Sequence, residues 1–425
     1  MSSVLKEFLD QEKTNFLEEC IVCGNCLREC PILPYTALKD HDPVELQQKT
    51  LDFFKEGTFS QEVYDFAYLC LTCEACDTAC PIEKLHPSRK REILRTEMLA
   101  SGKTAPEKSA VYLPSNRYHL AAILSSLQMK PSEIRWLESI PEAPKKTEIV
   151  FFLGCFAHTG PDKVFTALDI FSRLNRDFVT LGGGENACCG SAYAMVGDAE
   201  QADKAARKLL ADIAAFQPRY AVFWCPSCIS RLAAVYPSSL AKSIKYQHIS
   251  TFLADNIDRL NFTNELNKVV TVHDPCHLAR GLGEFESSRK LLSRIPGIKL
   301  VEMAHTKENT LCCGVSAGLG DAEAAKAFTS QRLNEAKECG ADTLISLCPG
   351  CQMAFFPGEF THGLSVKTLV ELIGEAMGIQ YEDKFKKLAM LGDPSRILEA
   401  ARENIEAGKY SMQEMQAIVP MIFQG

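Results

Sequence analysis

The chain has 425 residues, of which 46% are hydrophobic and 24% are charged, so it has enough apolar material for a large core and more than one domain. Its formal net charge of -8 argues against nucleic acid or an anionic membrane surface as the main partner. The longest apolar runs are far shorter than the roughly 18 to 20 residues of a membrane-spanning helix, and the N-terminus lacks the apolar core of an export signal. We therefore expect a cytoplasmic protein.

The chain contains 19 cysteines. A reducing compartment keeps thiols free, so a cysteine-rich cytoplasmic chain more often binds metal than forms disulfide bonds. All the cysteines except Cys339 fall into four spaced groups, and Cys339 is expected to be a small buried side chain on a helix. Metal binding is therefore the first function that the sequence indicates.

The first two groups share the spacing Cys-x-x-Cys-x-x-Cys-x-x-x-Cys-Pro, which is typical of two-cluster ferredoxins. Three closely spaced thiolates can hold three corners of one cubane, while the turn before the proline carries the fourth thiolate to the other cluster. A pair of structural zinc sites is the alternative, although such sites typically use two Cys-x-x-Cys pairs. We predict two [4Fe-4S] cubanes with crossed ligands, one held by Cys20, Cys23, Cys26 and Cys80 and the other by Cys70, Cys73, Cys76 and Cys30.

Helical signals lie between and after these two motifs. Asp42 and Pro43 form an N-cap with proline at the first helical position, and Ser60 caps a helix that leads into the second motif. We expect residues 1–100 to form an α-helical two-cluster ferredoxin module, and residues 101–147 to form a linker with short helices. A basic group follows the second motif, and we expect a solvated helix face, with compensation of cluster charge or docking of an acidic partner as the alternatives. Its members are Lys84, Arg89, Lys90, Arg91 and Arg95.

Beyond the linker, strand and helix patterns alternate, and each predicted strand leads to cysteines. The same order occurs twice, with matching cysteines 121, 124 and 123 residues apart, which marks an internal duplication. Because the carboxyl ends of parallel strands meet at one edge of a sheet, the cysteines of each copy should converge there. We predict two duplicated α/β cysteine-rich domains, residues 148–266 and 267–376. The predicted strands are 149–153, 178–181 and 220–224 in the first copy and 269–272, 299–303 and 343–347 in the second.

Each copy carries one cysteine, then an adjacent pair, then Cys-Pro-x-Cys. Five thiolates exceed the four ligands that zinc or a cubane accepts, and they suit an opened iron-sulfur cluster in which one sulfur bridges two irons. Zinc with one spare thiol remains an alternative, whereas a thioredoxin-like dithiol leaves three cysteines of each copy without a role. The two sets are Cys155, Cys188, Cys189, Cys225 and Cys228, and Cys276, Cys312, Cys313, Cys348 and Cys351.

The doubled five-cysteine pattern resembles the paired cysteine-rich domains of the heterodisulfide reductase catalytic subunit. With two ferredoxin motifs in front, the arrangement is similar to the fused D subunit of that enzyme and to iron-sulfur subunits of glycolate, lactate and glycerol-3-phosphate dehydrogenases. The resemblance covers about residues 15–375. It implies that each set of five cysteines holds a noncubane [4Fe-4S] cluster, and that these ten cysteines form the catalytic centre where a disulfide is split.

The sequence also lacks several motifs. No Gly-x-Gly-x-x-Gly follows a predicted strand and no nucleophile motif is present, so we expect neither flavin nor NAD on this chain. Electrons should then enter from a partner, which we expect to be a flavoprotein or a cytochrome b subunit that holds the chain at the inner face of the membrane. His158, His273 and His277 lie near the strand-end cysteines and are candidates for lining a substrate cavity or supplying a proton, although a hydrogen-bonded loop histidine is the ordinary interpretation.

Residues 377–425 are expected to form a C-terminal helical tail. Its one clear helix starts at Asp393, has Ala401 and Ile405 on its apolar face and ends at Gly408. The apolar stretch 418–423 follows and is expected to dock either on the body of the protein or on a membrane or flavoprotein partner.

Together these patterns predict an iron-sulfur oxidoreductase subunit of anaerobic metabolism. It would pass electrons through two cubanes to two noncubane clusters and act on a small disulfide or thiol. One alternative is a noncatalytic electron-transfer subunit of a flavin-dependent 2-hydroxy acid or glycerol-3-phosphate dehydrogenase. The other is an interaction protein stapled by zinc.

Overall fold

The computed structural model describes residues 3–138, 140, 142–184 and 186–423. The remaining positions of the predicted domains, namely 1, 2, 139, 141, 185, 424 and 425, lie outside the described residues. The N-terminal part is helical, as the sequence predicts. Its helices are α1 (Val4–Glu19), α2 (Asn25–Arg28), α3 (Pro43–Glu56), α4 (Gln61–Leu69), α5 (Ala75–Thr78) and α6 (Lys90–Ala100).

Side-chain caps start three of these helices. Asp42 accepts hydrogen bonds of 2.9 Å from the backbone N–H groups of Val44 and Glu45, and Ser60 caps α4, both at the predicted positions. Ser3 caps α1 in the same way. These caps satisfy amide groups that the first turn of a helix leaves without a partner.

The predicted linker contains the short helices α7 (Leu120–Gln128) and α8 (Pro131–Glu138). Two copies of an α/β unit follow it. The first comprises β1 (Ile149–Phe152), α9 (Pro161–Arg173), β2 (Phe178–Leu181), α10 (Ser191–Met195), α11 (Ala199–Ala215), β3 (Tyr220–Phe223), α12 (Pro226–Val235), β4 (Lys245–His248) and α13 (Ile249–Asp255). The second comprises β5 (Lys268–His273), α14 (Cys276–Leu282), α15 (Glu286–Leu292), β6 (Ile298–Leu300), α16 (Ala322–Glu338), β7 (Thr343–Ser346), α17 (Pro349–Phe355), α18 (Gly358–Thr361), β8 (Ser365–Thr368) and α19 (Leu369–Ala376).

Each copy builds one small parallel sheet. The strand orders are β2-β1-β3-β4 and β6-β5-β7-β8, and every pair of neighbours is parallel. Parallel strands end at the same edge of a sheet, and ligands of such folds bind beyond that edge. The chain segments that follow β1, β2 and β3, and their equivalents in the second copy, therefore converge.

The fourth strand of each sheet, β4 or β8, was not predicted from the sequence. These strands read Lys-Tyr-Gln-His and Ser-Val-Lys-Thr, so they lack the apolar run that marked the other strands. Each pairs with one neighbour only, and an edge strand of this kind tolerates polar residues. β6 is also shorter than the predicted strand at 299–303.

A Gly-Asp-Ala-Glu sequence occurs once in each copy and precedes α11 and α16. Its aspartate caps the helix in both copies. Its glycine lies against the N-terminal helices, because a Cβ atom on Gly197 would lie 2.2 Å from the carbonyl oxygen of Arg95, and one on Gly320 would lie 3.0 Å from that of Tyr68. The repeated motif therefore both starts a helix and allows close approach to the N-terminal module.

The C-terminal helices are α20 (Lys384–Met390), α21 (Pro394–Ala400), α22 (Arg402–Glu406) and α23 (Met412–Phe423). They pack on the predicted linker, since Ile123 of α7 shares an apolar core with Ile397 and Ile405. The single helix predicted from Asp393 onwards is divided at Ala401, which separates α21 from α22.

The apolar stretch 418–423 forms the end of α23. Val419 is fully buried in the core shared with α7, whereas Met421 is exposed. The stretch therefore docks on the body of the protein through one face. Within the described parts of the chain, no helix combines the length and the apolar character that crossing a bilayer requires.

Candidate metal centres

The first N-terminal motif surrounds a cavity at the end of α1. Cys20 is the C-cap of α1, and Cys26 lies in α2. Between them the backbone is left-handed at Val22, with φ 56°, and at Gly24, with φ 73°, so the short loop curls around the cavity. We call this cavity N-terminal site 1, and the cysteines that line it are Cys20, Cys23, Cys26 and Cys80.

The second motif repeats this local structure at the end of α4. Thr72 and Glu74 have φ of 60° and 62°, at the positions equivalent to the left-handed residues of the first motif. A left-handed backbone is costly for residues with a side chain, and such strain is concentrated at functional sites. We call the cavity N-terminal site 2, and its cysteines are Cys30, Cys70, Cys73 and Cys76, with Cys26 at the border.

The fourth cysteine of each motif lies with the other motif. Burial, together with the charges of Cys70 and Cys73, raises the pKa of the Cys30 thiol to about 12. Burial also raises the pKa of Cys80, and the neighbouring Cys26 adds to this shift. The geometry thus has the crossed form that the spacing predicts.

Lys90 is buried between the two N-terminal sites and lines both of them. Its Nζ donates a hydrogen bond of 3.1 Å to Cys26 Sγ and another to Gln47, whose own amide lies 3.5 Å from Cys20 Sγ. Arg95 is buried as well, and its Nε donates to the carbonyl oxygen of Ala67. The predicted solvated helix face is therefore wrong for these two residues. Lys90 fits the alternative of compensating charge beside the cysteines, whereas Arg95 lies against a carbonyl oxygen and the ring of Tyr68.

In the first copy the cysteines lie beyond the carboxyl ends of β1, β2 and β3. The loop after β2 approaches the loop after β1 so closely that a Cβ atom on Gly183 would lie 2.2 Å from the carbonyl carbon of Gly154. Gly183 of the glycine run before the adjacent cysteines is thus required for this packing. We call this group the first-copy site, which consists of Cys155, Cys188, Cys189, Cys225 and Cys228.

The same arrangement recurs in the second copy. The sulfur atoms of Cys276 and Cys312 lie 4.0 Å apart. Hydrogen bonds from Cys312 and Cys351 to Cys313 lower the pKa of the Cys313 thiol to about 6 despite its burial. We call this group the second-copy site, which consists of Cys276, Cys312, Cys313, Cys348 and Cys351.

The second-copy site adjoins N-terminal site 2. The sulfur atom of Cys312 lies 3.9 Å from the carbonyl oxygen of Leu71, within the second ferredoxin motif. Cys73 also interacts electrostatically with Cys276. Arg280 of α14 fastens the contact, since its Nε donates a 2.6 Å hydrogen bond to the carbonyl oxygen of Cys73.

The two copies meet at their own cysteines. The side chains of Cys225 and Cys348 interact with each other, although they belong to different copies, and Cys225 packs against the apolar cluster that contains Cys348. The four groups therefore form a continuous series: N-terminal site 1, N-terminal site 2, the second-copy site and the first-copy site.

Two of the predicted histidines, His158 and His277, are buried or half-buried. Burial lowers the pKa of His158 to about 4. His277 faces the N-terminal module, where its Nε2 lies 3.2 Å from Thr72 Oγ1 and its Nδ1 lies 3.4 Å from Glu74 Oε1. Burial opposes charge on His277, but Cys276 and Glu74 raise its pKa. His277 thus joins the module to the second copy.

His273 is the predicted histidine that lies among cluster cysteines. One of its ring nitrogens and the Sγ atoms of Cys313 and Cys351 lie within 4.8 Å of one another. Arg332 Nε donates a 3.3 Å hydrogen bond to His273 Nδ1. Burial and the charge of Arg332 lower the pKa of His273 well below its usual range. Arg332 was not predicted as a site residue, because nothing in the sequence near it distinguishes a buried cation from an exposed one. Lys90 belongs to the basic group for which compensation of cluster charge was the alternative.

Cys339 stands apart from these groups. It is the C-cap of α16 and half-buried, rather than a buried side chain on the helix as predicted. Its sulfur lies 3.1 Å from the carbonyl oxygen of Ala336.

The donor sets fit iron-sulfur clusters. The N-terminal sites each present four sulfur atoms and the copies five, and burial raises the pKa of Cys30, Cys73 and Cys155. Buried thiols that resist ionisation become thiolates when a cationic metal centre compensates their charge. Donors to sulfur are also in place, since the backbone N–H of Gly190 lies 3.3 Å from Cys188 Sγ.

Two family profiles match the chain. The profile described as a cysteine-rich domain matches residues 149–233 and 270–356, and each match contains one set of five cysteines. The profile described as a 4Fe-4S dicluster domain matches residues 16–83, which contain all eight N-terminal cysteines.

Two curated relatives span most of the chain. The D subunit of the dihydromethanophenazine:CoB–CoM heterodisulfide reductase from Methanosarcina barkeri is 30% identical over 395 residues, covering 85% of this chain and 94% of the relative. The B subunit of the fumarate reductase (CoM/CoB) from Methanothermobacter marburgensis is 27% identical over 390 residues, covering 88% of this chain and 74% of the relative. A hypothetical protein from Helicobacter pylori, known from a crystal structure, shares the fold with a TM-score of 0.51 at 11% identity, covering 91% of this chain and 78% of that chain.

Proposed function

Since the chain belongs to the family of iron-sulfur electron-transfer proteins that includes the D subunits of heterodisulfide reductases, we propose that it carries electrons from two cubanes to two noncubane clusters, where a disulfide is reduced. N-terminal sites 1 and 2 would hold the cubanes, and the two copies would hold the noncubane clusters. The relatives are subunits of oxidoreductases, which supports an oxidoreductase role within a complex.

The contact between Cys225 and Cys348 carries this proposal. It brings one cysteine of each proposed noncubane site against the other. Two clusters held so close together can act on the two sulfur atoms of a single disulfide. A simple electron relay has no need for two five-cysteine sites side by side.

Reduction of a disulfide to two thiols consumes two electrons and two protons. When bound, the paired clusters would supply one electron each. The chain itself supplies position and a dry environment, since Trp224 and Leu347, next to the contacting cysteines, are only 4% and 5% exposed. Burial of this kind excludes water from the neighbourhood of the cysteines.

Electrons would reach N-terminal site 1 from a partner protein. We propose a flavoprotein or a cytochrome b for this role, because the chain has no dinucleotide-binding motif of its own. A cytochrome b partner would place the chain at the inner face of the membrane.

A second candidate function is noncatalytic electron transfer to or from a flavin-dependent dehydrogenase or reductase. The similarity to the B subunit of a fumarate reductase favours this function, because that relative is named as a subunit of an enzyme with another reaction. In this case the four sites would only transfer electrons and would not act on a substrate.

Protein reconstituted with iron and sulfide under anaerobic conditions tests the proposal. It should contain roughly 16 irons per chain, four at each site, and should reduce candidate disulfides when a low-potential dye supplies electrons. Cys189→Ser and Cys313→Ser should each abolish disulfide reduction while the cubanes still accept electrons. Cys339→Ala is the matched control and should keep both activities.

Full disulfide reduction by either serine variant would contradict a paired mechanism. About eight irons with stoichiometric zinc would show that the copies are structural. A fully loaded protein that reduces no disulfide but exchanges electrons with a flavin dehydrogenase would support the relay instead.

A further inference from the structure

The two copies differ at one buried position beside the proposed noncubane sites. The last residue of β5 is His273, and the corresponding residue of β1 is Phe152, each three residues before the first cysteine of its copy. Both side chains are almost fully buried, with 0% and 1% exposed. Phe152 also lies near its own site, since a Cβ atom on Gly154 would lie 3.9 Å from Phe152 Cε1 and 3.7 Å from Cys228 Sγ.

The helix that packs over this position differs in the same way. Counted from the aspartate caps of α11 and α16, Arg332 corresponds to Leu209. The Arg332 side chain is fully buried, and its Nη1 donates hydrogen bonds of 2.7 Å to the carbonyl oxygen of His305 and 2.6 Å to Glu335 Oε2. The guanidinium is therefore held firmly while its Nε donates to His273.

The hydrogen bond from Arg332 determines the tautomer of His273. Because Nδ1 accepts this bond, a neutral ring carries its proton on Nε2. Nε2 is buried and has no hydrogen-bond partner among the described residues. A protonated Nε2 has no lone pair for iron, so it is a donor and not a ligand. One ring nitrogen of His273 and the sulfur atoms of Cys313 and Cys351 lie within 4.8 Å of one another, and because Nδ1 accepts from Arg332, Nε2 is the nitrogen that can donate to these sulfur atoms.

We propose that His273 donates a hydrogen bond from Nε2 to a sulfur atom at the second-copy cluster and raises the reduction potential of that cluster. The inference rests on the proposed occupation of the two copies by clusters. Hydrogen bonds to sulfur stabilise the extra negative charge of the reduced state. Phe152 and Leu209 offer the first copy no such donor.

This asymmetry suits the position of the second-copy site in the series. The site adjoins N-terminal site 2 through Cys73 and Leu71, so it receives electrons before the first-copy site does. A higher potential there retains the first electron until a second one arrives. His273 is thus a positioning and tuning residue.

Redox titration of the loaded protein, followed by electron paramagnetic resonance, tests the proposal. His273→Phe copies the first-copy residue and should keep its full iron content. One transition should show an equilibrium constant for reduction about tenfold smaller, which is about 59 mV for one electron. His273→Gln keeps an N–H donor and should restore most of the shift. Phe152→Leu is the packing control and should leave that transition unchanged.

An unchanged potential in His273→Phe, or an equal shift in Phe152→Leu, would overturn the proposal. Loss of about four irons in His273→Phe would identify a ligand rather than a donor and would also overturn it. Pulsed electron paramagnetic resonance of the unmodified protein labelled with 15N-histidine needs no variant. We expect a weak coupling between the reduced cluster and a histidine nitrogen, and the absence of this coupling would refute the hydrogen bond. The titration does not depend on disulfide reduction, so a protein that only relays electrons would show the same shift in reduction potential. A protein whose copies hold no clusters is recognised beforehand by its lower iron content.

Discussion

Cys80 and Cys30 each lie with the other motif's cysteines, and a single substitution tests this exchange. Cys80→Ser should damage the cluster held with Cys20, Cys23 and Cys26, because the fourth ligand crosses over. The cluster of N-terminal site 2 should survive. Iron content and resonance spectra of the reduced protein measure the outcome, with Cys30→Ser as the mirror-image variant. Selective loss of N-terminal site 2 in Cys80→Ser would disprove the crossed assignment.

The buried ammonium of Lys90 provides a second test at the residue scale. Lys90→Met removes a charged donor to Cys26, and hydrogen bonds to charged groups contribute about 1.5–3 kcal/mol. The reduction potential of a cubane should therefore fall, because the reduced state carries more negative charge. Redox titration measures this shift. Lys84→Met changes a side chain that is 80% exposed and should leave the reduction potential unchanged. A shift in Lys84→Met equal to that in Lys90→Met would show that the hydrogen bond from Lys90 is not the cause.

Residue roles were predictable where spacing encodes them. The eight N-terminal cysteines follow a spacing that is typical of two-cluster ferredoxins, and the structure groups them as that spacing predicts. The burial of Lys90 and of Arg332 was not predictable, because it depends on what packs over each cation. In both cases the covering groups come from distant parts of the chain.

At the scale of elements, a buried ion pair joins α6 to α12. Arg231 and Glu92 form two hydrogen bonds of 2.9 and 2.7 Å, and burial opposes the charge on Glu92 while Arg231 lowers its pKa to about 2. Arg231→Met leaves a buried carboxylate unpaired and should lower the free energy of unfolding by about 3–5 kcal/mol. Thermal unfolding of the loaded protein measures this loss. Lys6→Ala breaks an exposed pair and should cost at most about 1 kcal/mol.

The pH dependence of this pair has a definite sign. A depressed folded pKa gives Glu92 a stabilising contribution that is complete above about pH 4.5 and is lost as the pH falls toward 2. The intact pair should thus contribute equally from pH 6 to pH 8. In Arg231→Met burial raises the pKa of Glu92, so the difference in melting temperature should grow as the pH rises. A constant difference would contradict this account.

Elements were predictable where an apolar run ends at a cysteine, as at β1, β3 and β7. The polar edge strands β4 and β8 were missed because their stability comes from one neighbouring strand rather than from apolar side chains. The tail helix was predicted as continuous because Ala401 and Ile405 keep the helical spacing. The break between α21 and α22 leaves that apolar face intact, so periodicity alone does not reveal it.

At the scale of the whole molecule, Gly197 controls how closely the first copy approaches the N-terminal module. Gly197→Ala places a Cβ atom 2.2 Å from the carbonyl oxygen of Arg95 in addition to straining a backbone with φ 88°. Gly102→Ala is a matched control, because its φ is 82° but its Cβ meets nothing within 4 Å. The strain common to both variants is about 1–2 kcal/mol. Thermal unfolding should therefore show a larger loss of stability for Gly197→Ala. Equal losses of stability in the two variants would mean that the backbone near Arg95 moves aside at no cost.

The order of the four sites could not be predicted from the sequence. Spacing assigns cysteines to sites, but the adjacency of the second copy to N-terminal site 2 depends on docking contacts such as Arg280 to Cys73. These contacts join residues about two hundred positions apart and leave no local pattern. The duplication predicted two similar domains without indicating which one faces the ferredoxin module.

The exchange of Cys30 and Cys80 between the N-terminal sites also bears on biosynthesis. A ribosome that has made only the first motif has released no complete set of four sulfur atoms, because Cys80 is still missing. The second set, in turn, waits for Cys70, Cys73 and Cys76 to join Cys30. Under the proposed ligand assignment, cluster delivery follows translation of the entire module, because a chain that ends before Cys76 contains neither complete set.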